Sequence, residues 1–311
     1  MGDIVYALAT ATDIRRHRPD AAIDWVAERG FAPLVALCPE VRTVIPFALR
    51  KWRRQPFARA TWRDIGTFRR HVRATRYAAI LDLQEQVKGA VIARTARGHR
   101  HGFDRASVRE PLATLAHDAH HRVPRNLHFV ERCRRLAGAA LGYVVDGPPR
   151  WHFALPPATS APPRPYVALL TATSRADKLW PENHWRTLIE HFDRAGLATL
   201  LFWGSAEEEA RARRLAQGFD SAIVPAWLAM ADAAALLARA ELTIGVDTGF
   251  THLAAALQTP TVGLFFATDP VVHGVACTGP HARDLGYEGR IPSPDDVIAA
   301  SAELQRAAPR C

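Results

Sequence analysis

Three short stretches in the second half of the chain carry the residues best suited to chemistry. Thr171-Ala-Thr-Ser-Arg-Ala-Asp-Lys178 sets two hydroxyls, Thr173 and Ser174, close to a cation, Lys178, a combination that can hold a diphosphate. The same residues also suit a solvated loop in which Asp177 pairs with Lys178. Trp203-Gly-Ser-Ala-Glu-Glu208 offers a carboxylate, Glu208, able to accept both hydroxyls of a ribose. Its spacing, Ser205-x-x-Glu208, equally makes a helix capping box, and both readings stand. Gly245-Val-Asp247-Thr248-Gly249-Phe-Thr-His252 reads as a strand-to-helix turn whose free N–H groups would attract phosphate, with Gly249 allowing close approach. Asp247 repels phosphate, so it is either the N-cap or a ligand for sugar hydroxyls. His252, one turn into the helix, reads first as a core histidine.

These stretches need strands to hold them, and the second half supplies the pattern. Apolar runs at 166–170, 198–202, 222–224, 242–246 and 261–265 read as buried parallel strands, with helical segments near 183–195, 206–217, 229–239 and 250–257 between them. Such a doubly wound α/β domain binds ligands beyond the carboxyl ends of its strands, where the three stretches fall. The first half carries candidate strands at 22–26, 43–45 and 78–83 and helices near 3–17, 57–74, 88–96 and 125–139. Proline clusters between 147 and 165 mark a linker, dividing the chain into 1–150 and 151–311. Two Rossmann-like domains are expected, the first starting at a helix where a strand should stand. Neither a P-loop nor a dinucleotide fingerprint occurs.

Charge separates the halves. Residues 1–150 contain 27 Lys and Arg against 14 Asp and Glu, whereas 151–311 contain 13 against 17. The first half should therefore attract anions: nucleic acid, an acidic membrane surface, or a phosphorylated or carboxylated substrate. An arginine-rich composition unrelated to function is the plainer explanation for any single arginine. No helix-turn-helix, zinc-finger or RNA-recognition pattern accompanies the charge, so no nucleic-acid partner is expected. The four cysteines, Cys38, Cys133, Cys277 and Cys311, lie far apart and suggest neither a zinc site nor a disulfide framework. Without a spanning apolar run or a basic leader, the protein is expected in the cytoplasm.

Taken together, the segments TATSRADKLWPENHW, VDTGFTHLAAAL and ATDP resemble the nucleotide-sugar half of the ADP-heptose lipopolysaccharide heptosyltransferases of glycosyltransferase family 9. IDWVAERGF, VIPFALRKWRR, HGFDRASVREPLA and NLHFVERCRRL are similar to the family's first half, so the likeness spans nearly the whole chain. It implies a GT-B fold, two facing Rossmann-like domains with a cleft between them, the final helix packing back on the first. It also implies inverting transfer of L-glycero-D-manno-heptose from ADP-heptose to Kdo of lipid A, with no cofactor and no metal; the sequence has no D-x-D motif. By position, Lys178, Thr173, Ser174, Thr248 and Gly249 would meet the diphosphate, Glu208 the ribose, and Asp247 and His252 the heptose. Asp3 would be the general base. Arg50, Lys51, Arg53, Arg54, Arg109 and Arg132 would cradle the anionic acceptor, and the basic segment would meet the inner face of the cytoplasmic membrane. Asp82, Gln84 and Lys88 match a family D-x-Q-x-x-x-K, either as substrate contacts or as loop support.

The sequence departs from the family in several places. Thr171 replaces a histidine, Glu85-Gln86 a Gly-Leu type pair, and Phe266-Ala267 a Gly-Pro, the last putting a ring in a tight loop. The family's first strand, about ten residues ahead of Met1, has no counterpart, so DNA just upstream is expected to encode it in frame. A family member with another acceptor, or a non-catalytic nucleotide-sugar or anionic-lipid binder, are the competing readings.

Overall fold

The computed structural model describes residues 1–158 and 161–307. Cys311 and part of the proline-rich stretch lie outside the described residues. The chain divides into two compact units, Tyr6–Ala154 on one side and Met1–Val5 with Leu155–Cys311 on the other. The expected division at 150 thus falls at 154, and Asp3 groups with the later half.

The first unit is built from α1 (Gly2–His17), whose opening residues belong to the other unit, β1 (Ile23–Glu28), α2 (Ala32–Val35), β2 (Val41–Phe47), α3 (Leu49–Arg54), α4 (Arg59–Ala74), β3 (Arg76–Leu81), α5 (Val87–Thr95), β4 (Arg97–Phe103), β5 (Ala119–His121) and α6 (Phe129–Leu141). All its strand pairs are parallel, but they form two sheets, β1-β2 and β3-β4-β5. β1 and β3 each have a single strand partner, and the Tyr77 hydroxyl of β3 donates to Asp24 Oδ2 of β1 at 2.9 Å. Helix α6 starts later than its apolar pattern suggests because His128 caps it, Nδ1 accepting from Val130 N at 3.2 Å. It stops at Gly142, whose φ of 72° lies in the left-handed region.

The second unit runs β6 (Tyr166–Leu170), α7 (Glu182–Arg194), β7 (Ala198–Leu201), α8 (Ala206–Ala216), β8 (Ala222–Ile223), α9 (Met230–Leu237), β9 (Leu242–Val246), α10 (Gly249–Ala256), β10 (Thr261–Leu264), α11 (Pro270–His273), β11 (Ala282–Leu285) and α12 (Pro294–Ala307). Its six strands form one parallel sheet in the order β11-β10-β9-β6-β7-β8. Every residue of β6 and β9 is buried, as strands covered on both faces must be. α7 lays Trp185, Leu188, Ile189 and Phe192 on the sheet at helical spacing. The C-terminal helix, α12, packs within its own unit. Val297, Ala300 and Leu304 join this unit's own core, against α7, β10 and β11. Phe266 joins the same core at 8% exposure, so the bulky ring in the loop after β10 turns inward and leaves the loop mouth clear.

Strand β4 puts His99 and His101 on one face, beside His121 of β5. His101 Nδ1 and His121 Nε2 lie 3.0 Å apart, so one ring donates and the other accepts. Burial, then the mutual repulsion of neighbouring imidazoles, lowers the pKa of His101 against a weaker pull from Asp118; burial and His120 lower that of His121. Below an ordinary imidazole pKa of 6.5 the unfolded chain takes up protons that the folded pair resists, so stability is complete above that value and falls with pH until the lowered values are passed. The unfolding midpoint should therefore drop between pH 7 and about pH 5.5, and His121→Asn should flatten that slope. A slope unchanged in His121→Asn would assign the acid sensitivity to other groups.

Candidate active site

The sheet order reverses between β6 and β9: the chain proceeds outward from β6 to β8, then returns to β9 on the other side. At such a switch point the loops diverge to opposite faces and leave a crevice at the strand ends. Asp247, directly after β9, closes it. Its Oδ2 meets Lys178 Nζ at 2.5 Å and accepts from the Thr268 hydroxyl at 2.7 Å, while Oδ1 lies 3.2 Å from His252 Nε2. The Thr173 hydroxyl donates to the Asp247 carbonyl at 3.2 Å. Loops following β6, β9 and β10 are thus tied to one residue. Burial works to raise the Asp247 pKa, but His252, Lys178 and Thr268 together outweigh it and hold the carboxyl well below the usual range.

This geometry resolves several expectations. Thr248, not Asp247, is the N-cap of α10, and Asp247 instead faces the crevice. Asp177 pairs with Arg175, leaving Lys178 to Asp247. His252 is buried yet directed at Asp247, so the core histidine also joins the polar cluster. Glu208 takes up its capping role: Oε2 accepts from Gly204 N at 2.7 Å and Ser205 Oγ accepts from Glu208 N at 3.2 Å. Ser174 stays exposed on the loop after β6. Thr171, at the end of β6, is buried with its hydroxyl lacking a hydrogen-bond partner.

The start of α1 reaches the same crevice. A Cβ on Gly2 would lie 2.5 Å from His252 Cδ2, and one on Gly249 would lie 2.4 Å from Met1 Cβ. Both glycines are needed for this close approach. Asp3, next in the first turn of α1, is exposed and lies within electrostatic reach of His273. His273 was not legible in any motif. It ends α11 half-buried, within electrostatic reach of Asp3, Asp247, His252 and Lys178, and burial lowers its pKa more than the two carboxylates raise it. Asp284 of β11 accepts from Val275 N at 2.7 Å and Ala276 N at 3.1 Å and fixes the turn just after α11.

In the first unit the expected anion-binding residues separate into two kinds. Arg50, Lys51, Arg53 and Arg54 lie on α3, with Lys51 paired to Asp64 at 3.0 Å, and Arg109 is exposed on the loop after β4. Arg132 does not belong with them. It is 5% exposed, its guanidinium donates to Glu85 Oε2 at 2.9 Å and to the Ser107 carbonyl at 2.6 Å, and it stacks over Phe103. Glu85 itself has φ 60°, the left-handed region where glycine is favoured. The buried ion pair holds it there. Asp82 serves as loop support, accepting from Gln84 N at 3.1 Å and facing His117 Nε2 at 3.1 Å; Gln84 and Lys88 remain exposed. Among the described residues no group of three or more His, Cys, Asp or Glu is placed to hold a metal ion.

A parallel-sheet unit with charged and hydroxyl side chains gathered at its switch point has the architecture of a ligand-binding α/β domain, and residues 65–285 match the model of glycosyltransferase family 9 (heptosyltransferase). The chain belongs to that family and is a glycosyltransferase. Within it, the chain is 39% identical to lipopolysaccharide heptosyltransferase 1 of Salmonella typhimurium over 294 residues, 90% of this chain and 92% of that protein. The solved structure of E. coli heptosyltransferase WaaC with ADP is similar at a TM-score of 0.89 and 34% identity, covering 98% of this chain and 97% of that one. WaaC with ADP-2-deoxy-2-fluoro heptose gives 0.87 and 35%, covering 97% and 96%.

Two outcomes follow from the packing. Arg132→Ala breaks the buried ion pair with Glu85 and should destabilise the protein by about 3–5 kcal/mol in urea unfolding. A loss confined to acceptor affinity, with stability intact, would return Arg132 to the binding surface. Gly2→Ala should push the His252 ring away from Asp247, read as a shift of the His252 imidazole resonances by NMR. Unmoved resonances would mean that the helix start yields instead.

Proposed function

We propose that the chain transfers L-glycero-D-manno-heptose from ADP-heptose to Kdo of lipid A, with inversion and without metal, as a cytoplasmic protein held at the inner membrane. The observation that carries this reading is that Asp3 and the Asp247–Lys178–His252–Thr268 cluster belong to one unit, with His273 in electrostatic reach of Asp3, Asp247, His252 and Lys178. A carboxylate at a helix start stands beside a crevice whose hydroxyls and ammonium suit a sugar diphosphate.

In this mechanism the acceptor hydroxyl attacks the anomeric carbon from the face opposite ADP. Asp3 takes the hydroxyl proton as the C–O bond forms, and the bond to the diphosphate breaks with its electron pair passing to the leaving oxygen. Lys178, the hydroxyls of Thr173 and Ser174, and the free N–H groups at Thr248–Gly249 offset the charge that appears there. Asp247 and His252 accept and donate hydrogen bonds to heptose hydroxyls. Glu208 keeps one carboxylate oxygen beyond its capping bond for the ribose. Arg50, Lys51, Arg53, Arg54 and Arg109 receive the carboxylate of Kdo and the phosphates of lipid A.

Incubation of the purified protein with ADP-heptose and Kdo–lipid A in the presence of a chelator should release ADP and form the heptosylated product. Asp3→Asn should lower turnover by about 10²- to 10⁴-fold with ADP affinity retained. Lys178→Ala should weaken ADP binding by about 1.5–3 kcal/mol, the worth of a charge-assisted hydrogen bond. ADP binding without product would instead support a nucleotide-sugar binder.

A further inference from the structure

Between Leu49 and Arg63 the first unit presents a basic hairpin with no acidic residue: α3, a turn at 55–58, and the first turn of α4. The turn is pinned, since Gln55 O accepts from Ala58 N at 3.2 Å and from the Thr61 hydroxyl at 2.8 Å. Inward, Trp52 packs on Phe68. Outward, Phe57 is 95% exposed and Trp62 64% exposed. Lys51 is neutralised by Asp64, but among the described residues no ion pair involves Arg53, Arg54 or Arg59.

Two large aromatic side chains held in water by an ordered turn are costly unless something covers them. The surrounding charge selects what that is. A partner must be anionic and offer an apolar layer at the depth of the rings, and a bilayer of acidic lipids does both: arginines hold headgroups while aromatic rings sit at the interface. An anionic acceptor molecule alone accounts for the arginines but not for the rings. We propose that the α3–α4 turn is a membrane anchor, in which Phe57 and Trp62 enter the headgroup–acyl boundary and Arg53, Arg54 and Arg59 bind anionic headgroups. This names the segment behind the membrane association in the proposed function, yet it does not depend on heptose transfer.

The test uses the full chain and sedimentation with extruded vesicles. Protein should bind vesicles of equimolar phosphatidylglycerol and phosphatidylcholine and not phosphatidylcholine alone, with added salt weakening the binding. Phe57→Ser with Trp62→Ser should reduce binding to the acidic vesicles by about tenfold or more, while the urea midpoint and ADP affinity stay as in the parent. Arg54→Glu with Arg59→Glu should reduce it as well. Undiminished vesicle binding in the aromatic variant would overturn the anchor, as would equal binding of the parent to neutral vesicles. Neither ADP-heptose nor Kdo–lipid A is present, so a protein that fails to transfer heptose can still pass or fail this test.

Discussion

The carboxylate of Asp247 is the constraint around which the second unit is arranged. It is a charge taken largely out of water, and such a charge persists only with partners on every side. Those partners come from three loops: Lys178 after β6, His252 at the head of α10, and Thr268 after β10. Binding them to one residue fixes the mouth of the crevice before any ligand arrives, which lowers the ordering cost of whatever binds there. The close approaches of Met1 to Gly249 and of Gly2 to His252 then seat the start of α1 on the head of α10.

Much of this was legible because the second unit's core strands are continuous apolar runs, and β6, β7, β9 and β10 stand where those runs lie. The first unit was harder. Arg97–Phe103 and Ala119–His121 are strands with polar, histidine-rich sequences, stabilised by ladder pairing and by each other's imidazoles rather than by an apolar stripe. The terminal strand β11 is short and carries Arg283 and Asp284, so it lacks the signal of a buried strand.

Site residues divide in the same way. Loops with several polar groups at a strand end announced themselves, but not how the groups pair: Lys178 chose Asp247 across the sheet over its neighbour Asp177. Glu208 had two uses in the sequence, and the capping use is the one realised in the fold. Arg132 reads as a surface residue in the sequence because its partner, Glu85, is distant along the chain. His273 had no signal, since only the fold carries α11 to the crevice.

The pair formed by Glu85 and Arg132 has a consequence for how this chain can change. Removing either residue alone breaks a buried ion pair, and Glu85 also occupies a backbone conformation that a glycine would hold without strain. Each position's tolerance is therefore set by the other: a glycine at 85 becomes acceptable only once 132 is uncharged or finds another anion, and an apolar 132 only once 85 is neutral. Single substitutions are thus disfavoured while the double one stays open, and the energetic effects of the two positions are coupled rather than additive.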